Sequence, residues 1–161
     1  MTNEITIRPA GPDDAETISQ QRTAMFEDIW GPMDPEVVEA MEAIFIPWVR
    51  RGLVDGSYRG WLACNGDGSA VAGGGLVLTE WMPNPQDLGA HRAYIANIYT
   101  APAYRRLGLA RRIVQEIVDW CQGQAIPKVS LHASPFGRPL YASLGFEPTN
   151  EMQLTLGSDN R

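Results

Sequence analysis

The chain has 161 residues, enough for one domain with a real core and too few for two, and its 44% apolar and 20% charged content excludes disordered and fibrous classes. Its net charge is −6, yet Arg105, Arg106, Arg111 and Arg112 place +4 on residues 105–112 with no acid among them, so the other 153 residues carry −10. An acidic body with one compact cationic spot lacks the broad basic face of a nucleic-acid binder and suits a small polyanion.

No apolar run approaches the roughly 18 residues of a membrane helix. The opening "MTNEITIRPAGPDD" has no basic stretch leading into an apolar one, so no membrane partner and a cytoplasmic location are expected. Cys64 and Cys121 are too few and too far apart for a disulfide framework or a zinc site, and they read as buried free thiols. No metal is expected.

In chain order, "EITIRPA" alternates Ile5 and Ile7 with polar neighbours and predicts a first strand ended by Pro9. Pro12, Asp13 and Asp14 then signal a helix start, and Gly31-Pro32 its stop. Asp34 as N-cap and Pro35 at the first helical position start a second helix, which Pro47 should bend or end and Gly52 should close. Two apolar stretches follow, separated by Asn65-Gly66-Asp67-Gly68, a hairpin signal. Gly73, Gly74 and Gly75 inside the second of these mark a bulge or a close backbone approach. A phosphate cradle is the alternative reading, and the absence of a lysine at the spacing a nucleotide loop needs weighs against it.

"MPNPQDLGAH" reads as a loop and "RAYIANIYT" as the next strand. From Leu107 the pattern turns helical, with Leu109, Ile113, Val114, Ile117 and Cys121 on one face, to an end at Gly123. "KVSLHA" predicts a short strand, "FGRPLYASL" a short helix capped by Gly145, and "NEMQLTL" a last strand. The order β-α-α-β-β-β-α-β-α-β is an α/β (α+β) arrangement with a right-handed βαβ unit inside a mixed sheet.

The arginine cluster lies where a strand ending at Tyr99 runs through Pro102 into a helix. A helix N-terminus offers unpaired N–H groups and the positive end of a dipole, so a pyrophosphate can settle there. Gly108 removes the side chain that would block it, Ala110 keeps the next position small, and the arginines supply charge-assisted bonds. Without an anion, arginines at this end of a helix oppose its dipole.

Arg105-x-x-Gly108-x-Ala110, after "NIYTAPAYR" and opening an amphipathic helix, resembles the acyl-CoA-binding signature of the GNAT superfamily of acetyl-CoA-dependent N-acetyltransferases. "SPFGRPLYASLGFEP" is similar to the family's second motif. The resemblance covers nearly the whole chain in element order and is most specific over residues 93–148. It implies a GNAT-like domain over 1–161 with a mostly antiparallel twisted sheet flanked by helices. Acetyl-CoA would be the co-substrate and an amine the acceptor, in a homodimer as many relatives are.

By the same resemblance, Ile98, Tyr99 and Thr100 would lend backbone groups to the pantetheine arm. The turn containing Arg105, Arg106, Leu107, Gly108, Leu109, Ala110 and Arg111 would hold the pyrophosphate. Tyr141 would protonate the departing thiolate. The family often has Asn seven residues before that tyrosine; here the position is Ser134, which can still donate one hydrogen bond.

Acetyl transfer needs a neutral amine, a stabilised oxyanion and a protonated leaving group. Glu80, at the end of the glycine-rich strand, is the first candidate for the base, with His91, His132 or a water chain as alternatives. Glu27 and Asp28 lie where the family places its acceptor pocket and could attract a cationic amine, with Trp81 as a wall. Trp30, Trp48, Met33 and Met82 fit an apolar acceptor or ordinary core packing equally. Two other classes stand beside the enzyme: a non-catalytic acyl-CoA-binding or sensing domain, and a nucleotide or nucleic-acid binder.

Overall fold

The computed structural model describes residues 4–157. The chain runs β1 (Thr6–Pro9), α1 (Ala15–Trp30), α2 (Pro35–Asp55), β2 (Tyr58–Cys64), β3 (Ala70–Glu80), β4 (His91–Thr100), α3 (Leu109–Gly123), β5 (Val129–Leu131) and α4 (Arg138–Ser143), with 3₁₀ turns at Pro12–Asp14 and Pro102–Tyr104. The five strands form one sheet in the order β1-β2-β3-β4-β5. All neighbours are antiparallel except β4 and β5, which flank α3 and run parallel, as a crossover requires. No described helix is long and apolar enough to cross a membrane.

Strand β2 is buried along almost its whole length and divides its side chains between two cores. Trp61 and Ala63 pack with Ile113, Val114, Ile117 and Cys121 of α3. Tyr58, Leu62 and Cys64 pack with Ala15 and Ile18 of α1 and Val49 of α2. Each fully buried branched side chain contributes roughly 1.5–3 kcal/mol. Cys64 and Cys121 are buried free thiols.

The glycine triplet is explained by what presses against it. A Cβ on Gly73 would lie 2.2 Å from Oε1 of Gln21, on Gly74 2.5 Å from Cδ1 of Ile98, and on Gly75 2.0 Å from the hydroxyl of Tyr58. The pairing of β3 with β4 slips here: Gly73 faces Tyr99 but Gly75 faces Ala96, so β4 holds one extra residue and Asn97 turns to φ 61°.

Several boundaries depart from expectation. Helix α2 passes through Pro47 and Gly52 to a left-handed cap at Gly56, φ 84°. Tertiary packing wins there: Val49 is fully buried, and Gly52 is pressed so close to Tyr58 that a Cβ would lie 2.6 Å from that residue's own. Helix α3 starts at Leu109 rather than Leu107, because Arg106 and Gly108 are both left-handed, φ 64° and 75°. The expected strand "NEMQLTL" is not formed among the described residues. Its Met152, Leu154 and Leu156 stand exposed, and β5, the last strand of the sheet, is only three residues long.

The entry into α1 is held by Asp14. Its carboxylate takes two hydrogen bonds from the Arg8 guanidinium, 2.8 and 2.9 Å, and one from the Gly11 N–H, 2.8 Å. The Arg8 bonds, ahead of that backbone bond, hold the carboxyl below its ordinary value of 3.8. A depressed folded-state value gives stability that is present above the ordinary range and lost as pH falls through the folded value. Asp14→Ala should therefore lower stability by about 1–2 kcal/mol at neutral pH, less if the exposed pair is well screened. In thermal unfolding followed across pH, the difference from wild type should close below the carboxylate range.

Candidate active site

Beyond Ile95 and Leu131 the parallel strands β4 and β5 no longer pair, although β4 continues to Thr100. The gap is a cleft of about 1060 Å³. Its floor is Tyr94–Thr100, one wall is the 131–141 segment, and the other is α1 with Arg22, Met25, Phe26, Asp28, Ile29 and Trp30. At its mouth lie Tyr104, Arg105, Arg106 and Gly108–Arg111.

The turn at that mouth is built for close approach. Gly108 is the N-cap of α3 in the left-handed conformation, and a Cβ placed on it would meet open space. Any side chain there would stand in the opening. The four arginines have different duties. Arg105 donates Nε to the Thr100 carbonyl at 3.0 Å and pairs with Asp28 at 2.6 Å. Arg112 reaches the Ile5 carbonyl, away from the cleft. Arg106 and Arg111 line the cleft, Arg111 also donating to the Ser143 hydroxyl at 2.7 Å.

Tyr141 lines the far end from α4. Its ring packs edge-on to Phe146, centroids 5.9 Å apart, and against Gly137, where a Cβ would lie 2.9 Å from the ring. Burial, with the nearby Tyr94 phenol second, raises its pKa above 10. Ser134 also lines the cleft; its hydroxyl accepts the Gly137 N–H at 3.1 Å and so helps to start α4.

Of the residues singled out from the sequence, Ile98, Tyr99, Thr100, Arg105, Arg106, Gly108, Leu109, Ala110, Arg111, Ser134, Tyr141 and Asp28 come together in this cleft. Glu80, Trp81, Glu27 and Leu107 are not among its lining. Glu80 pairs with His91 at the start of β4, while Ile98 lies seven residues on, roughly 20 Å along a strand. Trp81 is exposed at that same end, under the Arg92 guanidinium at 5.3 Å. Glu27 is exposed on α1. Asp28 is not a lone carboxylate, because Arg105 neutralises it.

Arg22, Asn97 and Tyr94 line the cleft without having been singled out by the sequence, and His132, an alternative base there, lines it too. Arg22 donates Nη1 to Oδ1 of Asn97 at 2.6 Å, and Asn97 donates Nδ2 to the buried Tyr58 hydroxyl at 2.9 Å. Burial outweighs the lowering effect of the Asn97 bond and of Arg22, and pushes the Tyr58 phenol up to about 12. Across the cleft, the Tyr94 hydroxyl is hydrogen-bonded to Nδ1 of His132. Two of these had a sequence signal: Asn97 interrupts an apolar strand, and Arg22 falls on the Ile18–Met25 stripe of α1.

The model of the Acetyltransferase (GNAT) family matches residues 22–146. No curated protein sequence matches the chain. Among solved structures, a GCN5-related N-acetyltransferase from Ralstonia eutropha JMP134 is 34% identical, with 95% of this chain and 99% of that one covered and a TM-score of 0.85. A protein described as a predicted acetyltransferase from Clostridium acetobutylicum, solved with acetyl-CoA, is 23% identical over 95% of this chain and 97% of its own, TM-score 0.86. An aminoglycoside N-acetyltransferase in complex with CoA shares the fold at 15% identity, 98% and 97% coverage and a TM-score of 0.70. The mixed five-stranded sheet and the family match agree, and the chain belongs to the GNAT family of acetyltransferases.

Proposed function

We propose that the protein moves the acetyl group of acetyl-CoA onto a primary amine by direct attack within this cleft. The observation that carries the reading is one continuous opening that joins the left-handed Gly108 turn, the unpaired stretch of β4 and Tyr141. The amides of residues 106–111 and the Arg106 and Arg111 guanidinium groups hold the diphosphate. Ile98, Tyr99 and Thr100 offer the backbone edge that β5 leaves free, and Ser134 flanks the pantetheine arm. Acetyl-CoA supplies the thioester carbonyl, and a backbone N–H near Ile98 or Tyr99 is the donor for its oxyanion.

Tyr141 gives its proton to the departing thiolate. A phenol is protonated at neutral pH, and burial, which raises its pKa, disfavours a free phenolate, so the transfer runs as the S–C bond breaks. Glu80 has no part in this reading, because it does not line the cleft. His132, which does, takes the proton of the attacking amine, with Tyr94 orienting its ring.

The test is binding and turnover together. Acetyl-CoA at a hundred times its Kd should stabilise the wild-type fold by about 2.7 kcal/mol, read as a rise in Tm, and should be consumed with at least one member of an amine panel. Gly108→Gln should fold, at a cost of about 1–2 kcal/mol for a left-handed side chain, and lose that rise. A rise equal to wild type in the variant would remove the turn from the reading.

A further inference from the structure

Arg22 is a charged group of the cleft for which the acetyl-transfer step has no use. Its guanidinium lies between two rings, 4.7 Å from the centroid of Phe26 and 4.9 Å from that of Phe45. Nη1 is fixed by Asn97, and Asn97 by the Tyr58 hydroxyl, a residue only 1% exposed. The cation is therefore aimed rather than mobile. Yet among the described residues it has no ion pair, whereas Arg8, Arg50, Arg92 and Arg105 each have one.

Its hydrogen-bonding capacity is also unspent. Nε is buried with no partner, and Nη2 makes no hydrogen bond among the described residues. Asp28, the only carboxylate among the described residues that line the cleft, is engaged by Arg105. Burial depresses the Arg22 pKa, and only the Tyr58 and Tyr94 phenols act against it. The two rings stabilise this half-buried cation in part, and a ligand that brings a counter-charge stabilises it further. Arg22, Tyr94 and Tyr141 all line this one cleft, so an acceptor bound there is open to both Arg22 and Tyr141.

We infer that Arg22 binds an oxyanion of the acceptor, and that the acceptor is a small amine that also carries a carboxylate or a phosphate. The inference rests on the acetyl-transfer reading above and names its substrate class. Nε is closed off, so the contact falls to the Nη groups, whose edge of the planar guanidinium fits either oxyanion with N–H···O bonds. The same cation repels polyamines and other polycationic acceptors, the reverse of what Glu27 and Asp28 would have favoured. Phe26, Met25 and Trp30 beside it leave room for an apolar body between the two ends of the acceptor.

Acetyl-CoA consumption over matched pairs tests this: α-amino acids and γ-aminobutyrate against their amides, and aminoethyl phosphate against ethanolamine. The oxyanion member of at least one pair should be favoured tenfold or more in kcat/KM, and the carboxylate and phosphate arms tell the two sources apart. Arg22→Gln should bring that ratio close to one, mainly through KM. Arg22→Lys should keep part of it, and both variants should keep the acetyl-CoA-induced rise in Tm. The wild-type ratio stands even if a variant folds poorly. Preference for the neutral or polycationic amines, no consumption with any oxyanion-bearing amine, or an unchanged ratio in Arg22→Gln overturns the assignment while a wild-type rise in Tm leaves the CoA reading intact. If acetyl-CoA gives wild type no rise, the reading beneath fails and this one falls with it.

Discussion

Tyr141→Phe is expected to lower kcat by about 10²-fold or more while the acetyl-CoA-induced rise in Tm stays at its wild-type size. The substitution is clean because the ring's neighbours touch carbon. Phe146 meets it edge-on, and Gly137 stands against the ring edge at a distance a phenylalanine reproduces. The side-chain hydrogen bonds among the described residues include none from the Tyr141 hydroxyl, so none of those is broken by removing it. What disappears is one proton donor on the cleft wall. A thiolate has an ordinary pKa of roughly 8.5, so it can leave without help, but more slowly, and a residual rate should remain. Turnover equal to wild type would take the acid role away from Tyr141 and leave the fold and cofactor turn untouched.

Gly75→Ala should cost the fold more than any change in the cleft. Its Cβ would lie 2.0 Å from the Tyr58 oxygen and 2.3 Å from Cζ, and Tyr58 is 1% exposed with Trp48 edge-on at 6.0 Å, so the ring has little space to retreat. Overpacking of this kind costs about 1–3 kcal/mol and sometimes more. If the phenol shifts, it also breaks its bond with Asn97, leaving a buried amide unpaired at about 1–3 kcal/mol further. Against a total stability of about 5–15 kcal/mol this is a large fraction, and Tm should fall by something on the order of 10 °C. A thermal midpoint within a degree of wild type would mean that Tyr58 is not held where the structure has it. Because Asn97 also anchors Arg22, the same variant should blunt the oxyanion preference in whatever fraction stays folded.

Much of this architecture was legible in the chain because its signals are local. Asp34 does accept the Glu36 N–H at 2.9 Å, Asn65 does order its turn by accepting the N–H groups of Asp67 and Ser69, and the stripe from Leu109 to Cys121 is buried as read. What escaped depends on partners distant in sequence. Pro47 reads as a bend or an end and Gly52 as the close, but packing of Val49 and Gly52 carries the helix on to Asp55. Alternation in "NEMQLTL" predicts a strand, but a strand needs an edge to pair with, and β5 is only three residues long.

In the cleft, the Gly108 turn and Tyr141 stand out through contiguous motifs, and the structure brings both to its lining. Glu80 is suggested by its neighbourhood in sequence, and antiparallel pairing sets it opposite His91, outside the cleft lining. Arg22 and Asn97 are 75 positions apart, and neither looks like a site residue until the bulge in β4 brings them together.

The two walls of the cleft come from separate stretches of chain, 22–30 on one side and 131–141 on the other. On the acetyl-transfer reading proposed above, changes on the cleft face of the first helix would alter the acceptor side and leave the Gly108 turn alone. Asp28 is the exception, because it pairs with Arg105 of that turn. Specificity and chemistry evolve on different clocks in such an arrangement, which is one physical reason a single scaffold can serve many acceptors.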